Sequence, residues 1–470
     1  MNLRATARKV VSNTVPRDPL FHWHFEQAIR HYKARRTSLA IGHYEECMRI
    51  NPDQWTAPFY LSIVYSQLAG DLEESLRLLR YARRLREQQF SPPEGSIPYR
   101  YLNSMWVAQI GHIANMEHLI KREILLGGDP KCIISHFPAS QKPANQFLLD
   151  KLGAYITIAR TARDLPYPEE TMQSVLEDYF LCESLDGTTK HWWHASSEIF
   201  RAWESEGRAP LLKLTDADVR YGRTRLKFFG LPDHAWFACL HVREGGFKKA
   251  QGHNAVDRSL NAEVAAYLPA IRAVIERGGW VVRIGDRSMQ PLPQIPRVID
   301  YARSTIKGER MDLFLLGACR FFIGTSSGPA YVPPLFGVPC ALTNWAPTGQ
   351  RPFNVRDIYI SKLYKAGTPA RFLDFAEIML PPVGHALSYM HAQAMGLVQI
   401  PNTPEEIREV VCEMLDRMEG TLIQTRTDTS LQAAFDAVAD TNKCVGNARA
   451  GRAFLRRHSE LLKGPGHHAA

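Results

Sequence analysis

The sequence predicts an α/β fold: two successive series of alternating strands and helices, preceded by an all-helical segment. Three observations predict it. From about residue 103 short apolar runs alternate with amphipathic helical patterns, and from about residue 235 the alternation begins again. Residues 21–90, by contrast, carry only helical periodicity. A chain of 470 residues is also too long for one core, which agrees with a division into units.

The helical segment, assigned to residues 1–95, reads as repetitive. In "AIGHYEECMRINPD", Ala40, Tyr44, Cys47 and Pro52 are spaced 4, 3 and 5 apart. The small, aromatic, small and proline positions that close a tetratricopeptide repeat have the same spacing. Tyr65, Gly70, Ser75, Leu79 and Ala82 resemble a second copy, with Tyr65 one residue too far from Gly70. Two copies are fewer than a free-standing solenoid needs, so residues 21–90 are expected to pack on their neighbour, recruit a partner or self-associate. "SPPEGSIP" reads as the linker.

The first α/β series, residues 100–232, opens with "MWVAQIG" as its expected first strand and "IANMEHLIKREILLGG" as a helix. "KCIISHF" is the next strand, and "NQFLLDKLGAYITI" runs from helix into strand. "HWWHASSEIFRAWE" and "TDADVRYGRTRLKFFGLP" read as helices. The second series, residues 233–400, places strands at "AWFACLHV", "WVVRIGD", "RVIDYA", "RFFIG" and "GVPCALTNW". Helices are expected at "NAEVAAYLPAIRAVIERGG" and "RMDLFLLGAC". Residues 401–465 read as closing helices, the first opened by Thr403 and Glu406 at capping-box spacing.

Composition excludes several classes. The 57 Lys and Arg against 48 Asp and Glu give a net charge of +9, and residues 1–100 hold 15 against 10. No basic run is interleaved with aromatics, so nucleic acid is not the expected partner. The eight cysteines are scattered singly with no CxxC, which fits buried thiols in a reducing compartment. The chain's start lacks an apolar core of the secretory kind. The uncharged run from Phe321 to Gln350 contains Pro329, Pro333, Pro334, Pro339 and Pro347, which no single membrane helix accommodates. The expected location is the cytoplasm, with peripheral contact at the inner membrane surface left open.

The candidate site residues all fall at strand ends, where ligands of parallel sheets bind. In "TSSGP", Thr325, Ser326, Ser327 and Gly328 end a buried strand where a helix is expected to begin, either as an ordinary cap or as a phosphate-binding turn. In "CLHVRE", His241 and Arg243 lie two apart on one face; Arg offers a planar fork to phosphate oxygens. The loop "EGGFKKAQGHN" beyond them is placed to fold over a ligand. Gly285 permits close backbone approach, and Asp286 either accepts from a ribose or closes a turn. Asp312 either caps a helix or lines the cleft. His112 in "QIGHIANMEHL" is either a helix cap or a general base, with His136 as rival. No D-x-D metal motif is present outside "TDADVR", which reads as helix, so no metal or other cofactor is expected.

"LHVRE", "RIGDRSM", "VIDYARS", "MDLFLLGACRFFIGTSSG" and "FGVP" together resemble a bacterial family of glycosyltransferases associated with surface carbohydrate, over some three hundred residues. More distantly, "HVR" is similar to the H-x-R of GDP-fucose-using transferases, without their second arginine and aspartate. The resemblance implies a GT-B-like pair of Rossmann-type domains and a nucleotide-diphosphate sugar donor held mainly by the second. It also implies His112 and Arg243 as catalytic candidates. His241, Arg243, Gly285, Asp286, Thr325, Ser326, Ser327 and Gly328 would bind the donor, and the acceptor would be a glycan, a lipid-linked molecule or a protein. The alternative is a non-catalytic scaffold that binds a nucleotide or glycan.

Overall fold

Four helices open the described chain: α1 (Pro19–Lys33), α2 (Thr37–Ile50), α3 (Thr56–Val64) and α4 (Leu72–Gln89). The computed structural model describes residues 18–91, 94, 98–245, 260–385, 392–393, 395–441 and 444–462. Most of the loop "EGGFKKAQGHN", part of the linker and the terminal tails lie outside them. Asp18 caps α1 by accepting from the Leu20 and Phe21 amides, and Pro19 takes the first helical position, where its missing N–H costs nothing. Ala40, Tyr44 and Cys47 are buried against Phe21, Phe25 and Tyr60, so the small–aromatic–small spacing marks the line along which helices meet. The surplus residue between Tyr65 and Gly70 has a physical account: Tyr65–Ala69 form a π-helical turn, which takes up one extra residue before Gly70 ends it at φ 72°.

Charge ties this segment to the first α/β series. Arg86 is fully buried, pairs with Asp178 at 3.1 Å, donates to the Leu176 carbonyl at 2.7 Å, and lies over the Trp55 ring. Nearby, Arg100 bridges Glu123 and Glu177 at 2.7 and 3.2 Å. Cutting the chain near residue 99 would remove this pair and uncover Asp178 to water.

The first α/β unit is a parallel three-stranded sheet, β1 (Arg100–Leu102), β2 (Ile133–His136) and β3 (Thr157–Ala159), in that order. Helices α5 (Ile110–Leu125) and α6 (Gln146–Leu152) make the crossovers. One expectation is corrected. "MWVAQIG" is not a strand; the strand is the preceding "RYL", and Ser104–Val107 form a 3-10 turn. The Asn103 side chain accepts from the Met105 amide and turns the chain there, while Trp106 and Val107 are buried from the turn. A short apolar run does not by itself separate a strand from a buried turn. A hairpin, β4 (Leu181–Glu183) with β5 (Thr189–His191), then leads into α7 (Trp192–Ser205) and α8 (Asp216–Lys227). The D-A-D triplet is the first turn of α8, where Thr215 and Asp218 form a reciprocal cap.

The second unit is a seven-stranded, all-parallel sheet in the order β15-β11-β10-β9-β6-β7-β8. Its strands are β6 (Phe237–His241), β7 (Trp280–Arg283), β8 (Val298–Ile299), β9 (Phe322–Gly324), β10 (Cys340–Trp345), β11 (Ile358–Ser361) and β15 (Arg449–Ala450). Numbered from β6, the first six strands follow the doubly wound order 3-2-1-4-5-6. With the first unit this makes two Rossmann-type α/β units behind an all-α segment, the fold class the sequence predicts. The C-terminal stretch expected only to close the fold supplies β15 to this sheet, and Thr403 and Glu406 cap the helix Pro404–Met418 reciprocally. A small antiparallel sheet, β13-β12-β14 (Arg371–Phe372, Leu363–Ala366, Val398–Ile400), adds to the elements expected from sequence.

The two units are joined by a direct contact. Glu309, first residue of the helix Glu309–Ala318, accepts from the Gln146 amide at 2.7 Å and so caps α6 of the other unit. All eight cysteines carry free thiols. Among the described residues no helix is long and apolar enough to cross a membrane.

Candidate functional site

In a doubly wound sheet the strand order reverses between the first and fourth strands, and the connections leave there to opposite faces. That opens a crevice at the carboxyl ends. Here the reversal lies between β6 and β9, whose last residues, His241 and Gly324, face each other in register. The buried pentad "FACLH" places His241 at this point, and "RFFIG" delivers Thr325–Gly328 opposite it.

The two strand ends are stitched together. The Thr325 amide donates to the His241 carbonyl at 3.3 Å, and the Arg243 amide donates to Thr325 Oγ1 at 3.2 Å. His241 Nδ1 lies 3.1 Å from Ser327 Oγ. Burial pushes the His241 pKa down to about 4, helped by the cations Arg243, Arg283 and Lys307, while Asp286 acts the other way. The ring is therefore neutral at neutral pH and sits in an electropositive setting.

The three hydroxyls differ in role. Thr325 is fully buried and holds the Arg243 backbone. Ser326 donates to the Ala346 carbonyl at 2.6 Å, fixing the turn to the next strand's end. Ser327, half-buried, is the one beside His241. The helix expected after Gly328 is instead two 3-10 turns, Gly328–Tyr331 and Pro333–Phe336, ended by Gly337 at φ 74°. Pro329, Pro333 and Pro334 lack the amides an α-helix needs, and four-residue turns carry little aligned dipole. Positive charge here comes from side chains.

Gly285 has φ 145°, and an added Cβ would run into the Met289 thioether, so the position requires glycine. Asp286 accepts from the Ser288 amide at 2.8 Å and closes the turn. Asp312 lies in the first turn of Glu309–Ala318, 3.2 Å from Lys307 Nζ. Lys307 and Arg283 were not among the sequence candidates; an arginine inside the apolar strand "WVVR" was the available signal.

His112 is in the first turn of α5, not on a loop. Its neighbour Gly111 lies directly against Gly328, close enough that a Cβ at 111 would come within 2.8 Å of the Gly328 Cα. This contact brings the start of α5 to the edge of the crevice. His112 Nδ1 lies 2.9 Å from the Met105 carbonyl, and the ring packs 4.5 Å from that of Tyr179. A carbonyl only accepts, so Nδ1 carries the hydrogen and Nε2 keeps its lone pair. Burial lowers the His112 pKa below 6.5. His136, ending β2, lies 2.9 Å from the Tyr101 hydroxyl and 3.9 Å from Glu169, inside the first unit. Of "HWWH", His191 caps α7, and Trp192 meets Tyr179, Tyr331 and Phe353 where the units join.

Burial also drives His118 down to about 4. His118 and His241 both have folded pKa values below the unfolded 6.5, so the stability they lend by staying neutral is complete above pH 6.5. It is lost as pH falls toward 4. Melting temperature is expected to drop by several degrees over that window, and a flat curve in thermal melts would contradict the burial of these rings.

No family model matches the chain, and no curated protein matches it. Among solved structures it is similar to a glycosyl transferase family 9 protein from Veillonella parvula DSM 2008, with 10% identity and a TM-score of 0.35 over 57% of this chain and 87% of that one. The E. coli ADP-heptose lps heptosyltransferase II gives 12% identity and a TM-score of 0.36 over 68% and 99%. The dodecameric iron-containing heptosyltransferase TibC in complex with ADP-D-beta-D-heptose gives 10% and 0.30 over 52% and 58%.

Proposed function

We propose that the chain is a glycosyltransferase that moves a sugar from a nucleotide-diphosphate sugar to a glycan, lipid-linked or protein acceptor in the making of a surface polysaccharide, without a bound metal. The observation that carries the reading is the crevice between β6 and β9, where His241 lies 3.1 Å from Ser327 and feels the positive charge of Arg243, Arg283 and Lys307. In the reaction the bond from the anomeric carbon to the diphosphate oxygen breaks, and the acceptor oxygen takes the carbon. The departing diphosphate gains negative charge, which we assign Arg243 to neutralise. The acceptor's proton goes to His112 Nε2. The outer side of α1 and α2, where Leu20, Trp23 and Leu39 are exposed, is the face we assign to an acceptor or partner.

A thermal-shift panel of UDP-, GDP-, dTDP-, ADP- and CMP-sugars tests the reading. The true donor at a hundred times its Kd adds about 2.7 kcal/mol of stability. Release of free sugar from that donor should persist in EDTA. A panel with no stabilising member would refute the donor site, and binding without turnover would favour a scaffold.

A further inference from the structure

We infer that Arg283 and Glu244 form a positioning pair that fixes where Arg243 stands in the crevice, an inference that rests on the donor site proposed above. Arg283 ends β7, beside Leu240 of β6 in the sheet, and is wholly buried. Its Nη2 donates to Glu244 Oε1 at 2.7 Å, and its Nη1 donates to the Gln290 carbonyl at 2.7 Å and to Asp300 Oδ1 at 3.2 Å. Glu244 Oε2 accepts from the Gln290 amide at 2.8 Å. Both carboxylate oxygens of Glu244 are thus taken by N–H donors from β7 and the turn beyond it.

The consequence falls on the residue before it. Arg243 has its amide held by Thr325 and its carbonyl held by the Ala262 amide at 3.1 Å. With Glu244 clamped as well, the backbone from which the Arg243 side chain starts is anchored on both sides, to β9 by one bond and to β7 by the other. The clamp is shared: the guanidinium fork spans Glu244 through Nη2 and Gln290 and Asp300 through Nη1, while the second Glu244 oxygen is held by the Gln290 amide. Glu244 itself faces only protein donors among the described residues, so its part is to hold, not to touch the donor sugar.

A double-mutant cycle on the full chain tests this, read by calorimetric titration with inorganic pyrophosphate. In Glu244→Gln the amide NH2 must face one of two N–H donors, so one anchor breaks while the shape is kept. Pyrophosphate affinity is expected to fall about tenfold in Glu244→Gln, but less than twofold when the same change is made in Arg243→Ala. Arg283→Lys, which keeps the charge and loses the fork, should repeat the pattern. An equal loss in both backgrounds would overturn the positioning role and leave the donor site standing. So would a wild-type protein stabilised by a nucleotide sugar yet blind to pyrophosphate. Failure to bind either ligand would overturn both.

Discussion

An Arg243→Ala protein is expected to fold and to lose about 2 to 4 kcal/mol of transition-state stabilisation, roughly a 30- to 900-fold fall in kcat/KM. The fold should survive because the position is held by backbone bonds to Thr325 and Ala262, which alanine keeps. The loss should be large because the remaining charge of the crevice is already engaged: Arg283 is spread over Glu244 and Asp300, and Lys307 lies 3.2 Å from Asp312. Neither can swing over to replace a missing guanidinium without abandoning its carboxylate. Steady-state kinetics with the donor found by thermal shift, alongside a melt of the variant, decide the matter. A folded variant with near-normal kcat/KM removes Arg243 from the chemistry.

His112→Ala is the second large effect. A positioned general base contributes on the order of 10²-fold or more, so kcat should fall by that much with nucleotide affinity unchanged, because the proposed donor site is on the other unit. The pH profile gives an independent reading. Burial lowers the ring's pKa, so the base stays unprotonated at neutral pH and kcat should decline only below pH 6.5 as a proton takes the Nε2 lone pair. That acid limb should vanish in the variant. If the variant melts earlier and turns over normally, the ring serves only to tie α5 to the Met105 carbonyl. If neither changes, the proton goes elsewhere, or the enzyme retains stereochemistry and needs no such base.

Much of this is legible in the chain because its signals are local. "FFIG" and "GVPCALTNW" are uncharged runs of strand length bounded by proline and glycine, and they hold β9 and β10. The ends of such strands can be located at once, so His241 and Ser327 are both identifiable from sequence, although their 3.1 Å contact is not. What stays hidden depends on partners distant in sequence. The two-residue strand β15 pairs with β11 some ninety positions earlier, and no pattern of two residues announces that. The one or two helical turns expected at "AYVPPLF" are present as 3-10 turns, and they do not extend into an α-helix for a local reason, three prolines in six residues from Pro329 to Pro334. The Glu244 clamp is invisible in sequence because an acidic residue after a strand looks solvated until a buried arginine is found beside it.

The Arg86–Asp178 pair bears on how the chain is made. Its members are 92 residues apart, and the helices that carry Arg86 leave the ribosome first. At about 5 to 20 residues per second, roughly 5 to 20 s separate the synthesis of the arginine from that of its carboxylate. Through that interval α4 has a guanidinium on the side it will later bury, and water is the only solvent able to stabilise it. The four helices can therefore form early but cannot seat themselves until the first α/β unit has been translated as far as residue 178. The ion pair makes docking of the amino-terminal segment a late step in biogenesis, waiting on a carboxylate that is synthesised well after the arginine.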